Sequence, residues 1–149
     1  SLRELDIPRG ALSFELVESI FLDESDDLVV WNIDRIKELG IDVEIDDFGT
    51  GYASIVSLLK LKPARLKIDR QLTQPIVDST AQVNLVQSII DIGKSLGVSV
   101  LAEGVETMEQ ARLLRDLGCD RLQGFLFAGA LSPEEFMRFV KARRNRLAS

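Results

Sequence analysis

No histidine occurs anywhere in these 149 residues, and that absence removes many familiar hydrolytic chemistries at once. A serine–histidine relay needs an imidazole to take the serine proton. Most zinc sites draw on imidazole nitrogens as well. Cysteine is almost as scarce. Cys119 stands alone, so a disulfide framework is excluded and a reducing cytoplasm is the expected setting. No apolar run approaches the roughly 20 residues of a membrane span, and no signal peptide is expected. Positive charge is short too, with 18 basic against 24 acidic side chains and a net charge of −6. A partner such as duplex nucleic acid usually demands a basic face, so none is expected. A small phosphate ligand stays open, because a bound divalent cation inverts the local sign.

What remains for chemistry is carboxylates, lysine, asparagine and glutamine. Hydrophobic residues make up 46% of the chain and charged residues 28%, ordinary for a soluble domain with one core. Short β-branched runs alternate with amphipathic stretches. Strands are expected at Leu12–Val17, Ile41–Asp46, Arg65–Ile68, Ser99–Ala102 and Asp120–Phe125. Helices are expected at about Asp26–Leu39, Tyr52–Lys60, Thr80–Leu96 and Thr107–Leu117, with glycines 40, 97 and 118 as stops. A last helix opens on Ser132-Pro133-Glu134-Glu135, a capping box with proline at its first position, and ends in a basic tail, Lys141 to Arg146. Strand–helix repetition with short links predicts α/β architecture and a parallel sheet, with no internal domain boundary.

The informative feature is where the polar groups fall. A strand buried on both faces should read as a nearly unbroken apolar run. Here each strand carries ionisable or amide groups toward its C-terminal side: Glu15 and Glu18, Asp46 and Asp47, Lys67 and Asp69, Glu103 and Glu106, Gln123. Parallel α/β folds place their sites at those ends, and five contributing strands suit a barrel mouth better than an open sheet with one switch point. Carboxylates crowded into one cavity raise one another's pKa values or collect a cation. An all-oxygen donor set selects hard ions such as Mg²⁺, Mn²⁺ or Ca²⁺. Two such ions at adjacent aspartates would favour attack of water on a phosphodiester, with a lysine positioning that water or balancing charge.

Taken singly, each group has a plainer reading. Asp46-Asp47 suits an N-cap before the Gly49-Thr50-Gly51 turn, and that turn lacks the third glycine of a dinucleotide fingerprint. Lys67 to Arg70 suits a surface ion-pair cluster, and Glu103 and Glu106 suit the opening of a helix. Gln123-Gly124 suits an ordinary turn. Their joint occurrence at successive strand ends is what favours a site.

These residues also carry a resemblance. Phe14-Glu-Leu-Val-Glu-Ser19 is similar to the E-x-T-E-S element of EAL domains, with Val17 in place of threonine. Ile45-Asp-Asp-Phe-Gly-Thr-Gly-Tyr-Ala-Ser54 resembles the D-D-F-G-T-G-Y-S-S signature, and Leu66-Lys-Ile-Asp-Arg70, Ala102-Glu-Gly-Val-Glu-Thr107 and Gln123-Gly-Phe-Leu-Phe127 follow in the family's order. The resemblance implies a (β/α)8 TIM-like barrel that hydrolyses cyclic di-GMP to the linear dinucleotide with two Mg²⁺ or Mn²⁺ ions. By motif, Glu15 and Asp46 would ligate the first metal, and Asp46, Asp47 and Glu103 the second. Lys67 would contact the attacking water, and Gln123 would face the substrate or a bound water. Glu106 would brace the loop through Gly49, Thr50, Gly51 and Tyr52, which in the family orders the second metal and the dimer interface. Asp69 would lend structural support.

Three departures qualify the expectation. The Glu-Ala-Leu tripeptide is absent, as is the asparagine-bearing strand end that follows it in the family, and Ala128-Gly129-Ala130 stands where the family has a proline. A complete barrel takes about 250 residues, so residues 1–149 are expected to be the C-terminal part of a single EAL domain, with about five βα units and an incomplete barrel. An open barrel predicts a homodimer or swapped oligomer. Upstream sensory or diguanylate cyclase domains are expected in the parent protein. The isolated chain is expected to be inactive or weakly active. The alternatives are a degenerate domain that binds cyclic di-GMP without hydrolysing it, or a purely structural half-barrel dimer.

Overall fold

Parallel neighbours need a crossover between them, and the glycine-stopped helices supply it. The structure, a computed structural model, describes residues 8–17, 26–49, 55–124 and 130–148. Strands β1 (Ser13–Val17), β2 (Asp42–Phe48), β3 (Arg65–Ile68), β4 (Ser99–Val105) and β5 (Arg121–Gly124) form one parallel sheet in the order β1-β2-β3-β4-β5. Helices α1 (Asp26–Glu38) and α2 (Ile55–Leu61) follow β1 and β2. After β3 come α3 (Arg70–Thr73), a 3₁₀ turn (Gln74–Val77) and α4 (Thr80–Leu96); α5 (Met108–Leu117) and α6 (Pro133–Ala148) follow β4 and β5. These are five consecutive βα units of a barrel wall, and among the described residues the sheet does not close.

Register separates the two faces of the sheet. Leu16, Ile45, Leu66 and Val100 stand in line across four strands, and Ile68, Ala102 and Leu122 form the next apolar row. All seven are buried, and they share one core with Ile33, Leu58, Ile90, Leu114 and Phe136 from the helices. The alternate row is polar: Glu15, Glu44, Arg65 and Ser99 align, and Lys67 aligns with Leu101 and Arg121. Within it Arg65 Nη1 donates to Glu44 Oε1 at 2.9 Å. Helix packing thus uses one face, and the polar face is left for the lumen.

Two strands run further than the sequence suggests. β2 extends through Phe48 and β4 through Val105, so the acidic signatures lie inside the strands rather than beyond them. α3 and the 3₁₀ turn were not anticipated, since four residues each are too few to display a helical period. Their local cause is plain. Asp69 caps α3 by accepting Gln71 N–H at 2.7 Å, and Pro75 opens the 3₁₀ turn. Among the described residues no helix is long and apolar enough to cross a membrane.

α4 lies hard against β4 because Gly93 has no side chain. A Cβ there would stand 2.4 Å from Val100 Cγ2 and 3.1 Å from the Val98 carbonyl. Gly93→Ala is therefore expected to destabilise the domain by about 1–3 kcal/mol, as overpacking does. The check is a lower denaturant midpoint at unchanged slope.

Candidate metal centre

Adjacent residues of a regular strand point to opposite faces, yet Asp46 and Asp47 reach one cluster. The backbone explains it. Asp47 has a left-handed φ of +52°, a conformation aspartate tolerates better than most residues. The Asp46 Oδ1 accepts the Asp47 N–H at 2.9 Å and holds the kink. Gly49 follows at φ +101°, where a Cβ would lie 2.4 Å from Leu72 Cδ1, so a larger residue would strain the backbone and displace Leu72.

A second irregularity aims Glu103. The β4–β5 register shifts between Ala102 and Val105, and Gly104 within that shift has φ +69°. A bulge of this kind turns a side chain away from the regular alternation. As a result Asp46, Asp47 and Glu103 offer carboxylate oxygens that all lie within 4.8 Å of one another.

Lys67 on β3 is the hub of the charges. Its Nζ donates to Glu15 Oε1 at 2.7 Å and lies 3.1 Å from Glu103 Oε1 and 3.8 Å from Asp46 Oδ1. The Lys67 side chain is 9% exposed, while that of Glu15 is half exposed at the rim. Burial works against the ammonium, but the bonds to Glu15 and Glu103 and the nearby Asp46 charge outweigh it and raise the Lys67 pKa. Burial also pushes Glu103 up; the Lys67 bond pulls back, the Asp46 charge pushes again, and the carboxyl ends at about 7. Lys67 therefore keeps its charge without fully securing that of Glu103, since one ammonium is shared among three acids. Asp47 is raised too, by burial, by a hydrogen bond with Asp69 and by the Asp46 charge.

The raised Glu103 fixes a pH dependence. A carboxyl that titrates at about 7 rather than 4.5 binds its proton more tightly in the folded chain than in the unfolded one. Its contribution is fully present below pH 4.5 and is lost as pH rises through about 7. Without divalent ions, the native protein is expected to lose thermal stability relative to Glu103→Gln across that window. Melting curves of both between pH 4.5 and 8 check it, and parallel pH profiles would contradict it.

A cleft of about 260 Å³ opens beside these acids, lined by Lys67, Arg70, Gln74, Glu103, Glu106 and Gln123 among others. The structure thus brings Glu15, Asp46, Asp47, Lys67 and Glu103 together and sets Gln123 and Glu106 on the adjoining wall. The described partner of Glu106 is Gln74, whose Nε2 donates to Glu106 Oε1 at 3.0 Å. Glu18, Thr50, Gly51 and Tyr52 fall outside the described residues, so the loop that Glu106 was expected to brace is not on view. Asp69 serves as the α3 cap and as the neighbour of Asp47. Arg70 was expected only within a surface ion-pair cluster and a motif, and no role was expected for Gln74 or Gln110. Of these Gln110 had a visible signal, the Thr107-x-x-Gln110 capping box that opens α5.

The EAL domain family model matches residues 1–130. The cyclic di-GMP phosphodiesterase NbdA of Pseudomonas aeruginosa is 38% identical over an alignment of 130 residues that covers 83% of this chain and 17% of NbdA. Among solved structures, the PaMucR phosphodiesterase in complex with c-di-GMP superposes with a TM-score of 0.77 at 32% identity, covering 91% of this chain and 54% of that one. A manganese/cy-diGMP complex of Klebsiella pneumoniae BlrP1 superposes with a TM-score of 0.74 at 29% identity, covering 85% of this chain and 32% of that one. The chain spans 17% of the length of the first curated relatives it matches.

Proposed function

The chain belongs to the EAL domain family, and from that premise we propose that its parent protein hydrolyses cyclic di-GMP to the linear dinucleotide with divalent metal. The observation that carries the proposal is the convergence of Asp46, Asp47 and Glu103 around one point, with Lys67 against two of them. On this reading residues 1–149 are the C-terminal part of a single EAL domain. The matched relatives support the substrate, as NbdA is a cyclic di-GMP phosphodiesterase and the PaMucR phosphodiesterase forms a complex with c-di-GMP.

The donor set fits Mg²⁺ or Mn²⁺, since it is entirely carboxylate oxygen and lies within one coordination sphere's reach. The BlrP1 complex with manganese supports the same assignment. Asp46, Asp47, Glu103 and Glu15 would hold the ions. When bound, a pair of such ions makes a bound water nucleophilic at neutral pH and neutralises charge on a phosphodiester. The protein's own residues do the rest. Lys67 carries fixed positive charge into the cluster and orients Glu15 and Glu103 by direct contact. Gln123 and Arg70 offer hydrogen-bond donors along the cleft wall, where a phosphate or base edge would lie. Glu106 and Gln74 close the far side.

The finer reading places the parent in the cytoplasm, joined to a sensory or diguanylate cyclase domain as in the bifunctional MucR. For the isolated chain the reading also includes a homodimer or swapped assembly, since Phe14 and Val17 are exposed on β1, which pairs on one side alone among the described residues. The test is turnover by the full-length parent in Mg²⁺ or Mn²⁺, abolished by a chelator. Tight cyclic di-GMP binding with no turnover in either ion would overturn hydrolysis in favour of a binding module.

A further inference from the structure

Glu103 and Gly104 are the two residues of β4 that the pairing register skips. The β3–β4 ladder ends at Ile68 and Ala102, and the β4–β5 ladder breaks between Ala102 and Val105. Left-handed Gly104 lies within the break. The ladder resumes with Val105 paired to Gly124, and just beyond it Gln110 ties the chain at Glu106 and Thr107. Its Oε1 accepts the N–H of Glu106 at 2.9 Å and of Thr107 at 3.1 Å. Its Nε2 donates to the Gln74 carbonyl at 3.0 Å, and Gln74 Nε2 returns to Glu106 Oε1 at 3.0 Å.

A helix cap needs only part of this. The Thr107 hydroxyl accepting Gln110 N–H at 3.1 Å and the return bond to Thr107 N–H complete the capping box. The Gln74 arm is extra, and it joins the end of β4 to the segment that follows β3, the strand that carries Lys67. Gln110 is 7% exposed, and a buried amide this fully bonded is costly to disturb. We propose that Gln110, together with Gln74, is a positioning residue for Glu103: the ring fixes the end of β4 against the end of β3 and so holds the Glu103 carboxylate at Lys67 and Asp46. The inference rests on the metal-centre reading above; it adds Gln110, which lies outside both the acid cluster and the cleft lining, and gives Gln74 of the cleft wall a second role.

The test uses the full-length parent protein, with Mn²⁺ affinity from calorimetry beside steady-state kinetics on cyclic di-GMP. Gln110→Ala is expected to weaken Mn²⁺ binding by about 10-fold or more, the usual scale for groups that orient ligands, and to lower kcat with little change in KM. Gln74→Ala, at an exposed position, moves both readouts in the same direction by a smaller factor. Gln110→Glu keeps the cap acceptor but loses the donor to Gln74, so it restores the melting temperature without restoring Mn²⁺ affinity. If Gln110→Ala fails to fold, the other two variants decide. Native Mn²⁺ affinity in all variants that fold, with melting temperature alone reduced, would overturn the inference and leave Gln110 a helix cap. If the native parent binds no Mn²⁺, the metal-centre reading falls and this inference with it; Mn²⁺ binding without turnover would sink only hydrolysis.

Discussion

Asp46→Asn in the full-length parent is expected to lower turnover of cyclic di-GMP by about 10²–10³, the scale on which single groups that stabilise developing charge act. Its effect on stability is expected to be small. Asparagine keeps the oxygen that accepts the Asp47 N–H at 2.9 Å, so the left-handed kink at Asp47 retains its support. What the substitution removes is charge, from a carboxylate that shares a cluster with Asp47 and Glu103 and lies 3.8 Å from Lys67. Fewer like charges in one place relieve the fold while they disable the site, a common trade between stability and activity. Turnover and melting temperature measured on the same preparation check both halves. Unchanged turnover would remove Asp46 from the machinery, and a collapse of melting temperature would make its role structural.

Lys67→Met carries the second large effect, and here stability is the first readout. Among the described residues, the ammonium is the cation in contact with Glu15, Asp46 and Glu103. Removing one partner from a buried ion pair costs about 3–5 kcal/mol; with Glu15 at the solvent rim, about 2–3 kcal/mol is expected here. A divalent cation replaces the missing charge, so Mn²⁺ is expected to raise the melting temperature of Lys67→Met by more than it raises that of the native protein. Turnover should stay low in the variant whatever the Mn²⁺ concentration. Equal metal-free stability of variant and native protein would contradict the role of Lys67 as counter-charge.

Much of this centre was legible because charge stands out against an apolar strand. Glu15, Lys67 and Glu103 occupy strand positions that a doubly buried strand would fill with valine or isoleucine, and the register places them on the polar face or at its bulged end. The alternation of strand and helix was legible for the same reason, as apolar spacing changes period from one to the other. The joint use of Asp46 and Asp47 was expected from their adjacency, but the backbone device that aims both at one cluster was not legible. Neighbours on a strand diverge unless the backbone departs from it, and only the left-handed φ at Asp47 brings them together. Nothing in an aspartate announces that conformation as a glycine would. The bulge at Glu103 was hidden likewise, since Gly104 reads equally well as a turn.

The partners of Glu106 lay further out of reach. Its bond to Gln74 depends on α3 and the 3₁₀ turn, segments too short to leave a periodic trace. Glu44 and Arg65 show the opposite case. Both are charges inside strands, and they pair with each other at 2.9 Å across β2 and β3.

On the proposed reading, these strand ends converge to hold divalent metal beside a phosphodiester cleft. Crystals of the complete domain grown with Mn²⁺, with the ion located by its anomalous scattering, test that most directly. A peak bounded by the carboxylates of Asp46, Asp47 and Glu103, at the mouth of the cleft that Gln123 and Arg70 line, is the predicted result. A map with no peak there at saturating Mn²⁺, and Lys67 still in contact with Glu15 and Glu103, would contradict it.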